Sequence, residues 1–422
     1  MEKFRIQGGH RLRGTVTVSG AKNAALPCLA ATLLTSDPVT LANLPRVRDI
    51  VTMERVLDQL GESSVHEGGT TTVVAGGGGA YHAPYDLVST MRASILVLGP
   101  LLARRRRARV ALPGGCAIGA RPVDLHLEAL TRLGAEVRVE RGDIVAEVPG
   151  GLVGADVSFP RITVTGTENL LMAATLARGR TVLHNCAREP EVVDLCRLLG
   201  TMGARISGAG DPTITVDGVS ELGPAHHTVL PDRIEAGTYL IAALLAGAGV
   251  TVANCIPGHL TTLLQVLQYA GASFTVGPDS CIVPAQGSFT ATTFTTEEFP
   301  GFATDLQAQA MTLLTQAEGT SLVTEAIFEN RFQHVMELKR LGAQISVAGR
   351  TARILGPSVL EGARVMASDL RASAALVLAG LLARGETVVD RIYHLDRGYE
   401  RMEEKLNTLG AHIERFNPGP YI

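Results

Sequence analysis

Leu127-Glu-Ala-Leu-Thr-Arg-Leu-Gly134-Ala135 decides the fold, because the chain says it six times. A helix end running into Gly, usually as Leu-Gly-Ala, recurs in Met53-Glu-Arg-Val-Leu-Asp-Gln-Leu-Gly61, Leu198-Leu-Gly-Thr-Met-Gly203-Ala, Leu267-Gln-Tyr-Ala-Gly271-Ala, Leu338-Lys-Arg-Leu-Gly342-Ala and Leu406-Asn-Thr-Leu-Gly410-Ala. The marker glycines are 73, 69, 68, 71 and 68 residues apart. A glycine just past the last turn of an amphipathic helix ends that helix without a Cβ penalty. A second marker keeps the same beat: apolar, small-residue helices begin near Lys22, Arg92, Glu168, Glu235, Asp305 and Arg371. Being apolar nearly all round, each is expected to be buried. With β-like runs such as Thr181-Val-Leu-His and Glu386-Thr-Val-Val-Asp between the markers, the unit reads strand, buried helix, strand, amphipathic helix, strand or hairpin.

Six such units make one ring or two lobes of three. The polar, turn-rich stretch Gly218–His227 near the midpoint favours two lobes, with Ser19-Gly20 as a candidate second crossing. The expected division is residues 21–229 for one lobe and 1–20 plus 230–422 for the other, the strand Phe4 to Ser19 going with the C-terminal half. A cleft between two lobes is the default place for a ligand.

Of 422 residues, 46% are apolar and 19% charged, which excludes a disordered chain and supports a large core. A net charge of −3 leaves no basic field for nucleic acid or an anionic membrane, and the absence of Trp disfavours stacking platforms. The uncharged stretch Ala236–Leu260 is long enough to span a bilayer, but its glycines and Pro257 divide it into a helix (Ala236–Ala246), a turn and a strand (Val250–Ile256). The N-terminus lacks an apolar signal segment, and the six cysteines show no paired or zinc spacing. Free thiols in a cytoplasmic protein are the expectation.

Lys22, Arg92, Arg371 and Asp305 stand at or near helix starts, where unpaired N–H groups favour anions. With Arg121 and Arg397 the cations would form a pocket for a phosphate or carboxylate, the alternative being dispersed surface charge. Cys116 lies in the Gly-rich segment Pro113–His126 near Arg121, a context for a lowered thiol pKa as well as for a small buried hydrophobe. The other cysteines read as core. Arg104–Arg107 reads as a solvated helix end, Gly76–Gly79 as a hairpin tip without the residues of a P-loop, and His226-His227 as part of the linker.

Eight motifs in order then carry a resemblance: Gly20-Ala-Lys-Asn-Ala24, Met91-Arg-Ala-Ser94, Pro113–His126, Ala187-Arg-Glu-Pro-Glu191, Leu230–Glu235, Pro300–Asp305, Asp369–Ser373 and Asp396–Arg401. Nearly end to end, the chain resembles the enolpyruvyl transferase family, in its UDP-N-acetylglucosamine branch. The resemblance implies an α/β fold, a two-lobed inside-out barrel of six units. It implies transfer of the enolpyruvyl group of phosphoenolpyruvate to the 3′-hydroxyl of UDP-N-acetylglucosamine, by addition and elimination.

Carried over, Lys22, Asn23, Arg121, Arg371 and Arg397 hold phosphoenolpyruvate. Asn23 stabilises the tetrahedral intermediate, Asp305 is the candidate general base and Cys116 the general acid. The nucleotide sugar is gripped by Arg92, by Arg121, Pro122, Val123, Asp124 and Leu125, by Arg161, Ile162, Thr163 and Val164, and by Asp305 and Ile327. No metal or organic cofactor is implied. The partners are small molecules, with neither nucleic acid nor membrane, for a monomer or a weak homo-oligomer. The rivals are 3-phosphoshikimate 1-carboxyvinyltransferase and a non-catalytic UDP-sugar-binding paralogue.

Overall fold

A computed structural model describes residues 2–77, 79–112 and 123–417. Cys116, Arg121 and Pro122 therefore lie outside the described residues. The chain divides into two compact units, which among the described residues comprise 20–112 with 123–230, and 2–19 with 231–417. Each has its own apolar core, one running from Ala21 to Leu230 and the other joining Phe4–Val18 to Ile234–Ile413.

The architecture is mixed α/β, with six sheets among the described residues. In five of them one parallel pair adjoins two antiparallel pairs, and in the sixth the strand Ala317–Thr324 takes two short parallel partners, Phe289–Thr290 and Thr293–Thr295, beside its antiparallel pairs. The sheet Asp156–Ser158, Arg180–His184, Thr213–Asp217, Arg205–Ser207 shows how sequence makes the unit. Its parallel strands are joined through the apolar helix Val164–Thr175, and the amphipathic helix Pro190–Thr201 leads into the hairpin. The apolar helices are buried nearly throughout; in Leu370–Leu382, residues 371–381 are buried.

The marker glycines have φ of 88, 94, 107, 83, 104 and 99°, so each amphipathic helix ends in the left-handed conformation that Gly tolerates. In five of the six the next residue, alanine, donates its N–H back to the helix, as Ala135 does to Leu130 and Ala343 to Leu338. That bond is the physical content of the Leu-Gly-Ala repeat. A parallel device went unread in the sequence. Asn43, Asn185 and Asn254 close equivalent strands with φ of 58, 57 and 56°, and each Nδ2 donates to the end of the neighbouring segment, at Val229, Phe159 and Val18 respectively.

Three sheets are completed by distant strands, one of them by Lys3–Gln7 between Glu386–Asp390 and His412–Phe416. Leu12–Thr17 lies parallel to Gly247–Ala253, and Ala225–Thr228 lies parallel to Val39–Ala42. The last pairing corrects the linker reading of His226-His227: both residues are in a strand, because the polar run supplies an edge whose alternate side chains need not be buried. The stretch after Ala236 forms the helix Arg233–Ala246 running directly into the strand Gly247–Ala253, without the expected turn.

Gly76–Gly79 is not the hairpin tip either. The tip is Gly68-Gly69, between Glu62–Glu67 and Thr70–Ala75, while Gly76 follows the hairpin and donates to Gly61 O at 2.7 Å. The arginine run closes a helix as expected, with Arg106 and Arg107 exposed, but it is not solvated throughout. Arg106 ends the helix at φ 58°, and Arg105 turns inward to Glu62 Oε1 at 2.7 Å and Leu60 O at 2.7 Å. No helix among the described residues is long and apolar enough to cross a membrane.

Candidate active site

In the 231–417 unit, the turn Thr304–Leu306 opens the apolar helix Gln307–Leu314 and places Asp305 opposite two guanidinium groups. Arg371 Nη2 lies 2.8 Å and Nε 3.1 Å from Oδ2, and Arg331 Nη2 lies 2.7 Å from Oδ1. Burial alone would raise the carboxyl's pKa, but Arg371 and Arg331 outweigh it and hold Asp305 well below the usual carboxylate range. Asp305 is thus an ionised acceptor whose basicity its two guanidinium partners restrain.

Arg371 is positioned as the second residue of Leu370–Leu382, a helix capped by Asp369, whose Oδ1 accepts from Arg371 N and Ala372 N. Its side chain is 4% exposed, and Nη1 is buried without a hydrogen-bond partner. Burial opposes its charge, yet Asp305 makes the guanidinium harder to deprotonate.

Sequence reasoning missed Arg331, which also reaches Thr304 Oγ1 at 3.3 Å. It also missed Glu325, 1% exposed, which accepts Thr304 Oγ1 at 2.8 Å while its other oxygen takes the N–H groups of Ile327 and Phe328 at 2.9 and 3.0 Å. Through Glu325 and Thr304 the structure ties predicted residue Ile327 to the Asp305 turn. The loop carrying Arg331 has no repeat marker that could have flagged it. Arg397 closes the turn Ile392–Arg397 in the same unit.

In the 20–230 unit, Lys22 and Asn23 are the first residues of helix Lys22–Ala31, and Lys22 Nζ lies 3.3 Å from Asp49 Oδ2. Arg92 begins the 3-10 turn Arg92–Val97 that runs into Leu98–Arg105. Asp124 and Leu125 open helix Asp124–Arg132, with Val123 just before it. Arg161 and Ile162 precede Thr163, whose side chain caps Val164–Thr175 by accepting from Gly166 N at 3.2 Å. The residues expected to grip one nucleotide sugar in this unit therefore sit at the N-terminal ends of three different helical segments.

The five described cysteines are free and buried. Burial pushes the Cys186 and Cys196 thiols up to about 11 and about 12. Cys28 stands close to Asp194 and His227, with His227 Nε2 3.1 Å from Asp194 Oδ2. Three distant segments meet in that group, which sequence spacing does not show.

A family model described as EPSP synthase (3-phosphoshikimate 1-carboxyvinyltransferase) matches residues 6–406. The chain belongs to this family of enolpyruvyl transferases. Within the family it is similar to the UDP-N-acetylglucosamine 1-carboxyvinyltransferase of Solibacter usitatus, 57% identical over 98% of this chain and 100% of the relative. The Koribacter versatilis protein of the same name is 54% identical over 98% of this chain and 96% of its own. Among solved structures, the enolpyruvyl transferase NikO from Streptomyces tendae superposes with a TM-score of 0.87 at 27% identity, covering 98% of this chain and 99% of that one. EPSP synthase from Acinetobacter baumannii, at TM-score 0.75 and 17% identity over 99% of this chain and 100% of its own, shares the fold.

Proposed function

We propose that this protein transfers the enolpyruvyl group of phosphoenolpyruvate to the 3′-hydroxyl of UDP-N-acetylglucosamine and releases phosphate, the first committed step of peptidoglycan synthesis. The observation that carries this reading is identity of 57% and 54%, over almost the whole chain, to relatives named for that reaction. The family model's name points to shikimate 3-phosphate as the rival acceptor. Identity of 17% to a solved EPSP synthase supports the fold and not that substrate. On this reading the six sheets build an inside-out α/β barrel with three units in each lobe, and the enzyme works in the cytoplasm.

Phosphoenolpyruvate brings a phosphate and a carboxylate, so it calls for several cations. Lys22, Arg121, Arg371 and Arg397 supply them, and Asn23 adds a neutral donor for the tetrahedral intermediate. Cys116 protonates the methylene carbon as the acceptor hydroxyl adds to C2. Asp305 accepts the hydroxyl proton. The ionised state of Asp305 supports that role, and its two arginines set the cost: the carboxylate gains basicity only as incoming anionic groups draw on the guanidinium charge. The nucleotide-sugar contacts on this reading are Arg92, residues 121–125, residues 161–164, Asp305 and Ile327.

Phosphate release from phosphoenolpyruvate tests this, with UDP-N-acetylglucosamine or shikimate 3-phosphate as acceptor and fosfomycin in parallel. Release only with the nucleotide sugar, stopped by alkylation of Cys116, is the expected result. Cys116→Ala is expected to lose turnover while still binding the nucleotide sugar; unchanged turnover removes the thiol from the mechanism. No release with either acceptor, despite tight binding of the UDP-sugar, leaves the non-catalytic paralogue.

A further inference from the structure

Three segments assigned to the nucleotide sugar are joined by one buried hydrogen-bond network around His126 and Asn169. His126, on helix Asp124–Arg132, is 3% exposed. Its Nδ1 lies 3.0 Å from Asn169 Nδ2 and its Nε2 lies 3.2 Å from Thr165 Oγ1. Both partners belong to helix Val164–Thr175, which follows directly on Arg161–Thr163. Asn169 carries the connection to the third segment: its Nδ2 donates to Ile95 O at 2.9 Å, and its Oδ1 accepts from Gly99 N at 2.6 Å. Ile95 lies one turn after Arg92.

Proton positions follow from the donors. Only the amide oxygen of Asn169 can take the Gly99 N–H, so the NH₂ faces Ile95 O and His126. Nδ1 of His126 must then accept, which leaves the ring proton on Nε2, donated to Thr165 Oγ1. A second ring proton would set two donors head to head. Burial, with Arg92 adding to it against Asp124, pushes the pKa of His126 down to about 4, so the ring stays neutral. Close packing closes the network: a Cβ on Gly99 would stand 2.3 Å from Asn169 O and 2.4 Å from Oδ1.

We infer that His126, acting through Asn169 and Thr165, is the positioning residue that holds the Arg92, Asp124–Leu125 and Thr163–Val164 segments in the mutual placement a nucleotide sugar needs. This rests on the reaction proposed above. His126 touches no reacting atom; it fixes the frame from which the gripping residues extend. Neutral bonds suit the task, since each has a definite direction and none competes with the charges of the substrate.

The test is calorimetric binding of UDP-N-acetylglucosamine, together with steady-state kinetics and thermal melts, on wild type, His126→Phe, His126→Asn and Thr165→Val. His126→Phe keeps a ring but removes the bonds to both Asn169 and Thr165, and is expected to weaken nucleotide-sugar binding about thirtyfold, the product of about tenfold for the buried Asn169 bond and about threefold for the Thr165 bond. Its kcat and its KM for phosphoenolpyruvate should stay within about twofold. His126→Asn, which restores an acceptor near the Nδ1 position, should recover most of that loss. Thr165→Val should cost about threefold, as a bond to a half-buried hydroxyl.

Unchanged binding in His126→Phe overturns the inference, as does a loss shared equally by kcat and both KM values. If His126→Phe does not fold, wild-type binding in Thr165→Val overturns it. Failure of the wild type to turn over UDP-N-acetylglucosamine removes the underlying reaction instead, and is seen before any variant is made.

Discussion

Asp305 and Glu235 are carboxylates near the starts of two apolar helices of the same unit, and their surroundings drive them in opposite directions. Asp305 has two guanidinium groups and is held well below its ordinary value. Glu235 has one ammonium, Lys405 at 2.7 Å, and the backbone N–H of Ser19 at 2.7 Å. There, burial wins: with Asp232 adding its charge, the pKa of Glu235 is raised to about 7 despite Lys405. Glu168, on the equivalent helix of the other unit, completes the series. It is 2% exposed, its Oε1 has no hydrogen-bond partner, and burial together with Glu191 and Glu189 drives its pKa well up. The comparison teaches that helix position does not set charge at these sites. The number and kind of cations delivered by other elements does.

The largest effect expected from breaking this comparison is at Asp305. Asp305→Ala should lower kcat on the order of a thousandfold, as loss of a general base does. A loss of less than tenfold would strip the residue of that role.

Arg331→Met sharpens the contrast by leaving Asp305 a single guanidinium. Turnover should fall on the order of tenfold, and the acid limb of the kcat/KM profile should move up as the carboxyl relaxes toward its ordinary value. An unmoved acid limb would show that Arg371 alone sets the charge of Asp305.

Glu235 offers a stability measurement. Its pKa in the folded protein lies above the ordinary carboxyl value of 4.5, so its contribution to folding is fully present below about 4.5 and is lost as pH rises through about 7. Urea unfolding of wild type between pH 5 and 8 should show this as a decline of about 2 kcal/mol attributable to Glu235. Glu235→Gln should flatten that part of the curve. An unchanged slope would mean that Lys405 suffices to keep the carboxylate ionised.

The smallest effect belongs to Glu168. A carboxyl whose surroundings favour its neutral form loses little on becoming an amide, so Glu168→Gln should alter stability by no more than about 0.5 kcal/mol. A loss of several kcal/mol would place a cation there and end the series.

Much of this site was legible before folding. Lys22, Arg92, Asp305 and Arg371 each mark a helix start because the helices themselves are announced by apolar runs. Arg331 and Glu325 were not legible, since they lie on an irregular segment with no periodic signal. His126 and Asn169 are 43 residues apart and meet only because two helices pack. The His227 pairing with Asp194 was hidden for a related reason, the polar stretch reading as a linker when it supplies a sheet edge.

By itself the sequence determined the sixfold repeat, the burial of the apolar helices and where each amphipathic helix stops. These follow from side-chain pattern and from glycine's freedom at positive φ, both properties of a few neighbouring residues. Tertiary structure alone decided which carboxylates are ionised, which tautomer His126 holds and which distant strand completes a sheet. Each of those depends on groups brought close by packing, where desolvation and a partner's charge or hydrogen bond outweigh anything the local sequence contributes.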